Sequence, residues 1–299
     1  MGLYFLFRKS NLRQLQQVKD HLNYGLLFIV LLINLINLIL MILRWYFLVK
    51  PVKATVSLKN IYIISLNAIA ANFAVPGKMG VPAKAILLKN TENIDYSHVT
   101  PSLANELFLE YFTILIFFAT SAIAGGFLDW QSATSAISWR IVFLFLFLLG
   151  FAGGGWFFFR KTKRIGAFLK NFSHAYKLSA KRKDLFLVAL LITVVNLFLT
   201  FYADKLLFKS MGFTIPYIFV IFSSSFSSIA ALISPLPGGI GIREIANGYF
   251  YKIFYNLGEV AVAAIIIRRL ITYFSLILLF VLERLFSSHF SIEIRKEIS

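Results

Sequence analysis

Seven charged residues lie inside a sequence that is otherwise apolar around them: Lys84, Glu106, Glu110, Arg243, Glu244, Arg268 and Arg269. Glu106 and Glu110 are four apart and share one helix face. Arg268 and Arg269 fall well inside the last apolar segment. A charge at the centre of a membrane helix costs about 2.5–3.5 kcal/mol, so such residues are expected to face the bundle interior and find partners. The obvious pairing sets Glu106 and Glu110 against Arg268, Arg269 or Arg243, with Glu244 paired across the bundle. Such a set can be a structural ion-pair network, or it can bind a charged headgroup or relay protons. Acid–base catalysis would need carboxylates or histidines converging on a substrate or metal. His21, His98, His174 and His289 fall in or beside loops and tails, without a second ligand at metal spacing. Asp20, Asp95, Asp129, Asp184 and Asp204 are read as lying at segment ends, which leaves Glu106, Glu110 and Glu244. No metal, no cofactor and no enzymatic activity are expected.

Two Pro-Gly breaks precede these charges. "VPGKMGVPAKAILL" begins at Val75 and "LPGGIGIREIANGY" at Leu236, an offset of 161 residues. Both follow an apolar segment and share the pattern apolar-Pro-Gly-x-[Met/Ile]-Gly-[Val/Ile]. Proline removes a donor and disfavours helix at the residue before it, while glycine permits positive φ. Pro76, Gly77, Gly80, Pro235 and Pro237 are therefore the expected breaks. Each break ends one helix and exposes the N-terminus of the next, with free N–H groups and about half a positive charge suited to a phosphate. Gly238, Gly239 and Gly241 would let backbone approach an anion, and Lys78, Lys84 and Arg243 would reinforce the site. Irregular backbone at membrane depth is tolerated only inside protein or against a wet cavity. Two related breaks suggest an internal duplication of the kind transporters use. In "FSSSFSS" (Phe222–Ser228) small hydroxyl residues favour close helix packing over lining a substrate path.

The elements that must position these residues are membrane helices. The chain of 299 residues is 59% hydrophobic and 14% charged, with a mean hydropathy of +0.78. Soluble domains carry nearly twice that charged fraction. Long uncharged runs cover Leu22–Leu43, Tyr111–Leu128, Ile141–Phe159, Leu185–Ala203 and Ser210–Ile242. The expected fold is all-α and polytopic, with about 7–8 spans, broken or re-entrant half-helices and a two-fold internal repeat. Helices are read near 24–48, 59–75, 102–128, 139–159, 185–209, 214–234 and 259–286, with 78–90 and 239–256 harder to place. Three parts follow: a basic amphipathic segment 1–22, a transmembrane domain 23–286 and a tail 287–299. Neither a cleavable leader nor a myristoylation signal is read at the N-terminus.

The net charge of +17 is a topology signal rather than a nucleic-acid footprint. Nine Lys and Arg residues fall in Arg160–Lys183, and Arg8, Lys9, Arg13 and Lys19 precede the first apolar run. The positive-inside rule puts residues 1–22, 90–100 and 160–184 in the cytoplasm, and 129–138 and 204–213 outside. The loop Lys50–Lys59 falls outside by this count, despite its three lysines. No cysteine is present, and no P-loop is found.

"PLPGGIGIREI" resembles the signature of the flippase-like family, also called the lysylphosphatidylglycerol synthase transmembrane region. "VPGKMGVPAKAILL", "NELFLEY" and "IIIRRLITY" resemble its other segments in order, so that the resemblance spans roughly residues 25–286. Lys78 and Lys84 stand where that family commonly has arginine, Val81 replaces a frequent acidic residue, and no arginine follows Glu106. Lysine keeps the charge but loses bidentate phosphate recognition. The resemblance implies movement of an anionic or lipid-linked headgroup between leaflets, with no room before Ser299 for an aminoacyl-transfer domain. Membrane lipids are then the expected partners, along with a lipid-synthesis partner protein, in a bacterial cytoplasmic membrane. The alternatives are a membrane-embedded transferase acting on a lipid, and a non-catalytic subunit of an envelope-synthesis complex.

Overall fold

The computed structural model describes residues 18, 20–75, 79–127, 177, 181–232 and 239–298, with side chains to residue 285. Expectations for Pro76, Gly77, Lys78, Pro235, Pro237, Gly238 and the helix near 139–159 lie outside the described residues. Within them the chain is entirely helical. Four helices are long and apolar enough to cross a bilayer: α1 (Tyr24–Val49), α4 (Tyr96–Ala124), α5 (Lys183–Ser210) and the Gly258–Leu285 part of α8 (Gly258–Ile298). Four are short: α2 (Leu58–Ala74), α3 (Gly80–Glu92), α6 (Tyr217–Leu232) and α7 (Ile242–Tyr255). At a rise of about 1.5 Å per residue none of the short four matches a hydrocarbon core of about 30 Å. The protein is a polytopic α-helical membrane protein.

The short helices form two hairpins, so the segments read near 59–75 and 214–234 are arms that turn back rather than crossings. Hairpin one, α2 and α3, is fastened at its base. There Glu92 accepts from Lys53 Nζ at 2.7 Å and from Asn60 Nδ2 at 2.7 Å. Hairpin two, α6 and α7, closes its base with aromatic rings: Phe219 lies 4.7 Å from Tyr255 and 5.0 Å from Tyr251, centroid to centroid.

Their bases lie at opposite faces. The Asn23 amide donates to the Ser210 carbonyl at 2.7 Å, which sets the start of α1 beside the end of α5. The two helices run antiparallel, joined midway by Asn37, Asn196 and Thr200. Hairpin one therefore departs from the face where α1 ends, and hairpin two from the face where α1 begins. Two expectations are corrected. The Lys53–Glu92 contact puts the 50–59 loop and the 90–100 loop on one face rather than opposite faces. The Asn23–Ser210 contact puts the N-terminal segment's end beside residue 210, at the face opposite Lys183, so the junctions of 1–22 and 160–184 do not share a side. Lysines fall at both faces here, and a charge count alone misassigned them.

The duplication extends far beyond the two glycine motifs. The starts of α1, α2, α3 and α4 precede those of α5, α6, α7 and α8 by 159 to 162 residues. Each repeat is a span, a hairpin and a span, and the second is inverted relative to the first. Glycine lets each hairpin turn tightly. A Cβ on Gly80 would fall 2.2 Å from the Ala68 carbonyl oxygen, so only glycine lets α3 approach α2 this closely. Gly241, at φ +85°, precedes α7 in a conformation that other residues resist.

Candidate headgroup site

The inner ends of both hairpins meet at a cavity of about 400 Å³, lined from α1, α4, α5 and α8 as well. Among the described residues eight charged side chains reach it: Arg44, Lys84, Glu106, Glu110, Asp204, Arg243, Arg268 and Arg269. Gly80 and Gly239 line it too, where the two breaks open. Glu244 is buried beside it, and Gly241 supplies a backbone N–H to that carboxylate.

The expected partners change. Glu106 and Glu110 do not meet Arg243, Arg268 or Arg269. Instead Arg44 Nη2 donates to Glu110 at 2.8 Å and to Glu106 at 3.2 Å, while Lys84 Nζ donates to both oxygens of Glu106 at 2.8 Å. Arg268 pairs with Asp204 at 3.3 Å, and Arg269 with Glu244 at 2.9 Å. The sequence reading lacked Arg44 and placed Asp204 at a segment end. Arg44 does interrupt the first apolar run, but "WYFLV" after it continues α1 to Val49, which is the signal that puts it inside a helix. Asp204 likewise precedes a further turn and a half of α5.

The pairs follow a rule. In the first repeat the outer spans are joined by Arg44 on α1 and Glu106 and Glu110 on α4; in the second by Asp204 on α5 and Arg268 on α8. Hairpin and following span are joined by Lys84 and Glu106 in the first, by Glu244 and Arg269 in the second. The same connections recur with every sign reversed, and every one of these pairs lies within a single repeat. Among the described residues, neutral amides and hydroxyls bridge the repeats at this level: Asn34 with Ser275, and Asn37 with Thr200 and Asn196.

At both internal helix N-termini one backbone N–H already has a side-chain acceptor. Gly80 N–H donates to Asn72 Oδ1 at 2.8 Å, and Gly241 N–H to Glu244 Oε2 at 2.8 Å. The Glu244 carboxylate thus takes the favourable position at the positive end of α7 that sequence reasoning assigned to a phosphate. The serine run divides between packing and the cavity: Ser223 and Ser225 are fully buried, whereas Ser224 donates to Asp204 at 3.0 Å and Ser227 and Ser228 line the cavity.

The sequence matches the family described as the lysylphosphatidylglycerol synthase TM region over residues 1–279. The chain belongs to that family. A UPF0104 membrane protein of Methanocaldococcus jannaschii is 26% identical over 215 residues, which cover 69% of this chain and 89% of that protein. No solved structure matches. Membership of the lysylphosphatidylglycerol synthase TM-region family fits the observed plan of long spans around a charged interior.

Proposed function

We propose that the protein carries the headgroup of a membrane lipid, anionic or lipid-linked, between leaflets while the acyl chains remain in the bilayer. The observation behind this reading is the pair of inverted hairpins whose inner ends meet at one charged cavity. That is the arrangement in which a fixed site between opposed repeats can be offered to one face and then the other. The family description adds a lipid context. The basic residues Lys181, Arg182 and Lys183 at the start of α5 set the cytoplasmic face of a bacterial inner membrane in this proposal. Hairpin one then dips in from the cytoplasm and hairpin two from outside.

The test is leaflet exchange of fluorescent phospholipid and lipid-linked-sugar analogues in proteoliposomes. The intact protein should accelerate exchange. Arg243→Ala, which removes a cavity charge, and Ser228→Trp, which fills the cavity, should abolish it while melting normally. Absence of exchange for every analogue by well-folded intact protein sinks the proposal.

A further inference from the structure

The two walls of the cavity are not equally satisfied. In the first repeat Arg44 hydrogen-bonds both carboxylates, Lys84 bonds both oxygens of Glu106 and lies 4.6 Å from the centre of the Trp45 ring, and of these two cations' donors only Arg44 Nε is buried without a partner among the described residues. In the second repeat the ion pairs are within reach but not aligned for hydrogen bonding. Arg268 Nη1 and Arg269 Nε, Nη1 and Nη2 are buried without an acceptor among the described residues. Arg243 lines the cavity and is exposed there, and no carboxylate among the described residues lies within 4.0 Å of it. Three guanidinia of this wall thus face two carboxylates, Asp204 and Glu244. Buried donors left open, above all charged ones, are rare because each forfeits its hydration with nothing in return.

We propose that an oxyanion of phosphate type binds to the second repeat alone, with Arg243 drawing it in and Arg268 and Arg269 supplying the further donors. Lys84, Glu106 and Glu110 form the opposite wall and take no part in holding the anion. The choice of anion follows from guanidinium chemistry: planar forks of N–H groups match the oxygens of a phosphate, and three of them converge here. Asp204 and Glu244 aim their two arginines without saturating them. This rests on the transport reading only for the source of the phosphate, a lipid headgroup rather than the free ion.

The test is equilibrium binding to the purified full-length chain, which separates it from transport. Dihexanoyl phosphatidic acid, dihexanoylglycerol and inorganic phosphate serve as probes. Phosphatidic acid should bind and dihexanoylglycerol should not. Arg243→Gln should weaken binding at least tenfold. Arg269→Lys, which keeps the charge beside Glu244 but loses the fork, should weaken it several-fold in a protein that still folds. Glu110→Gln in the first wall should change it less than twofold. Inorganic phosphate that displaces the lipid only at far higher concentration supports the headgroup as the source. Equal displacement by both overturns that source and leaves a free-phosphate site. Binding unchanged by Arg243→Gln and Arg269→Lys, or lost as strongly in Glu110→Gln, overturns the assignment. Exchange that persists without Arg243 dependence sinks this subsite and not transport; phosphate binding without exchange does the reverse.

Discussion

Lys84 Nζ lies 2.8 Å from both carboxylate oxygens of Glu106, and both side chains are buried. This contact ties the inner end of hairpin one to the span that follows it. Lys84→Met leaves Glu106 with Arg44 alone, and removing one partner of a buried pair costs about 3–5 kcal/mol. The double change Lys84→Met with Glu106→Gln should recover much of that loss. Melting curves of the three proteins decide it. Additive losses would mean that the pair is not coupled.

Gly80 and Gly241 occupy the same place in the two repeats for different reasons. Alanine at Gly80 meets the Ala68 carbonyl and the Asn72 side chain, which displaces α3 and breaks its cap; a loss of about 1–3 kcal/mol is expected. Alanine at Gly241 meets nothing within 4 Å and suffers only from its φ of +85°, with an expected loss of about 1–2 kcal/mol. Asn at Gly241 should therefore recover part of the loss, and Asn at Gly80 none of it. Thermal melts of the four variants test this, and rescue at Gly80 would refute the packing account.

The base of hairpin one should be acid-labile. Hydrogen bonds from Lys53 first and Asn60 next hold the Glu92 carboxyl below the usual carboxylate range, against the opposing effect of burial. A depressed folded value means the contribution is complete above the unfolded pKa of about 4.3 and is lost as pH falls through the folded value. Glu92→Gln should lower the melting temperature at pH 7, and the gap to the parent should close in acid. A gap that stays constant to about pH 3 would exclude this carboxylate as the source.

The inverted plan predicts which residues share a face. The chain has no cysteine, so single substitutions report cleanly. Lys53→Cys and Asp95→Cys should react with an impermeant maleimide from one side of sealed vesicles. Asp20→Cys and Lys209→Cys should react from the other. Labelling of Lys53→Cys and Lys209→Cys from the same side would overturn the topology.

Much of this architecture was legible in the sequence because the signals are local. Uncharged runs and the repeated glycine spacing depend on backbone chemistry within a few residues, and they located α1, α4, α5 and the glycines Gly80 and Gly241 at the starts of α3 and α7. Pairing is not local. Glu106 finds Lys84 and Arg44 because α3 and α1 flank α4, a fact of three-dimensional order that spacing along the chain does not carry. The relation of the 50–59 loop to the 90–100 loop was misread for a related reason: counting the segment near 59–75 as a crossing inverts the loops after it, whereas that segment turns back. Asn72 and Asn247, which cap or brace the hairpins, looked like ordinary polar residues, since only their partners Gly80 and Ser227 reveal the role.

The reversal of sign between the repeats bears on how such a protein can have arisen. Two copies of the first repeat would build a cavity with each wall's two cations matched by two carboxylates and only Arg44 Nε left open. Two copies of the second would double the surplus of guanidinium against a scarcity of carboxylate. Only unlike halves give one inert wall and one receptive wall. The two halves have become complementary and are no longer interchangeable, so a symmetric ancestor assembled from identical subunits would have gained a directional interior only after its copies were joined and free to diverge.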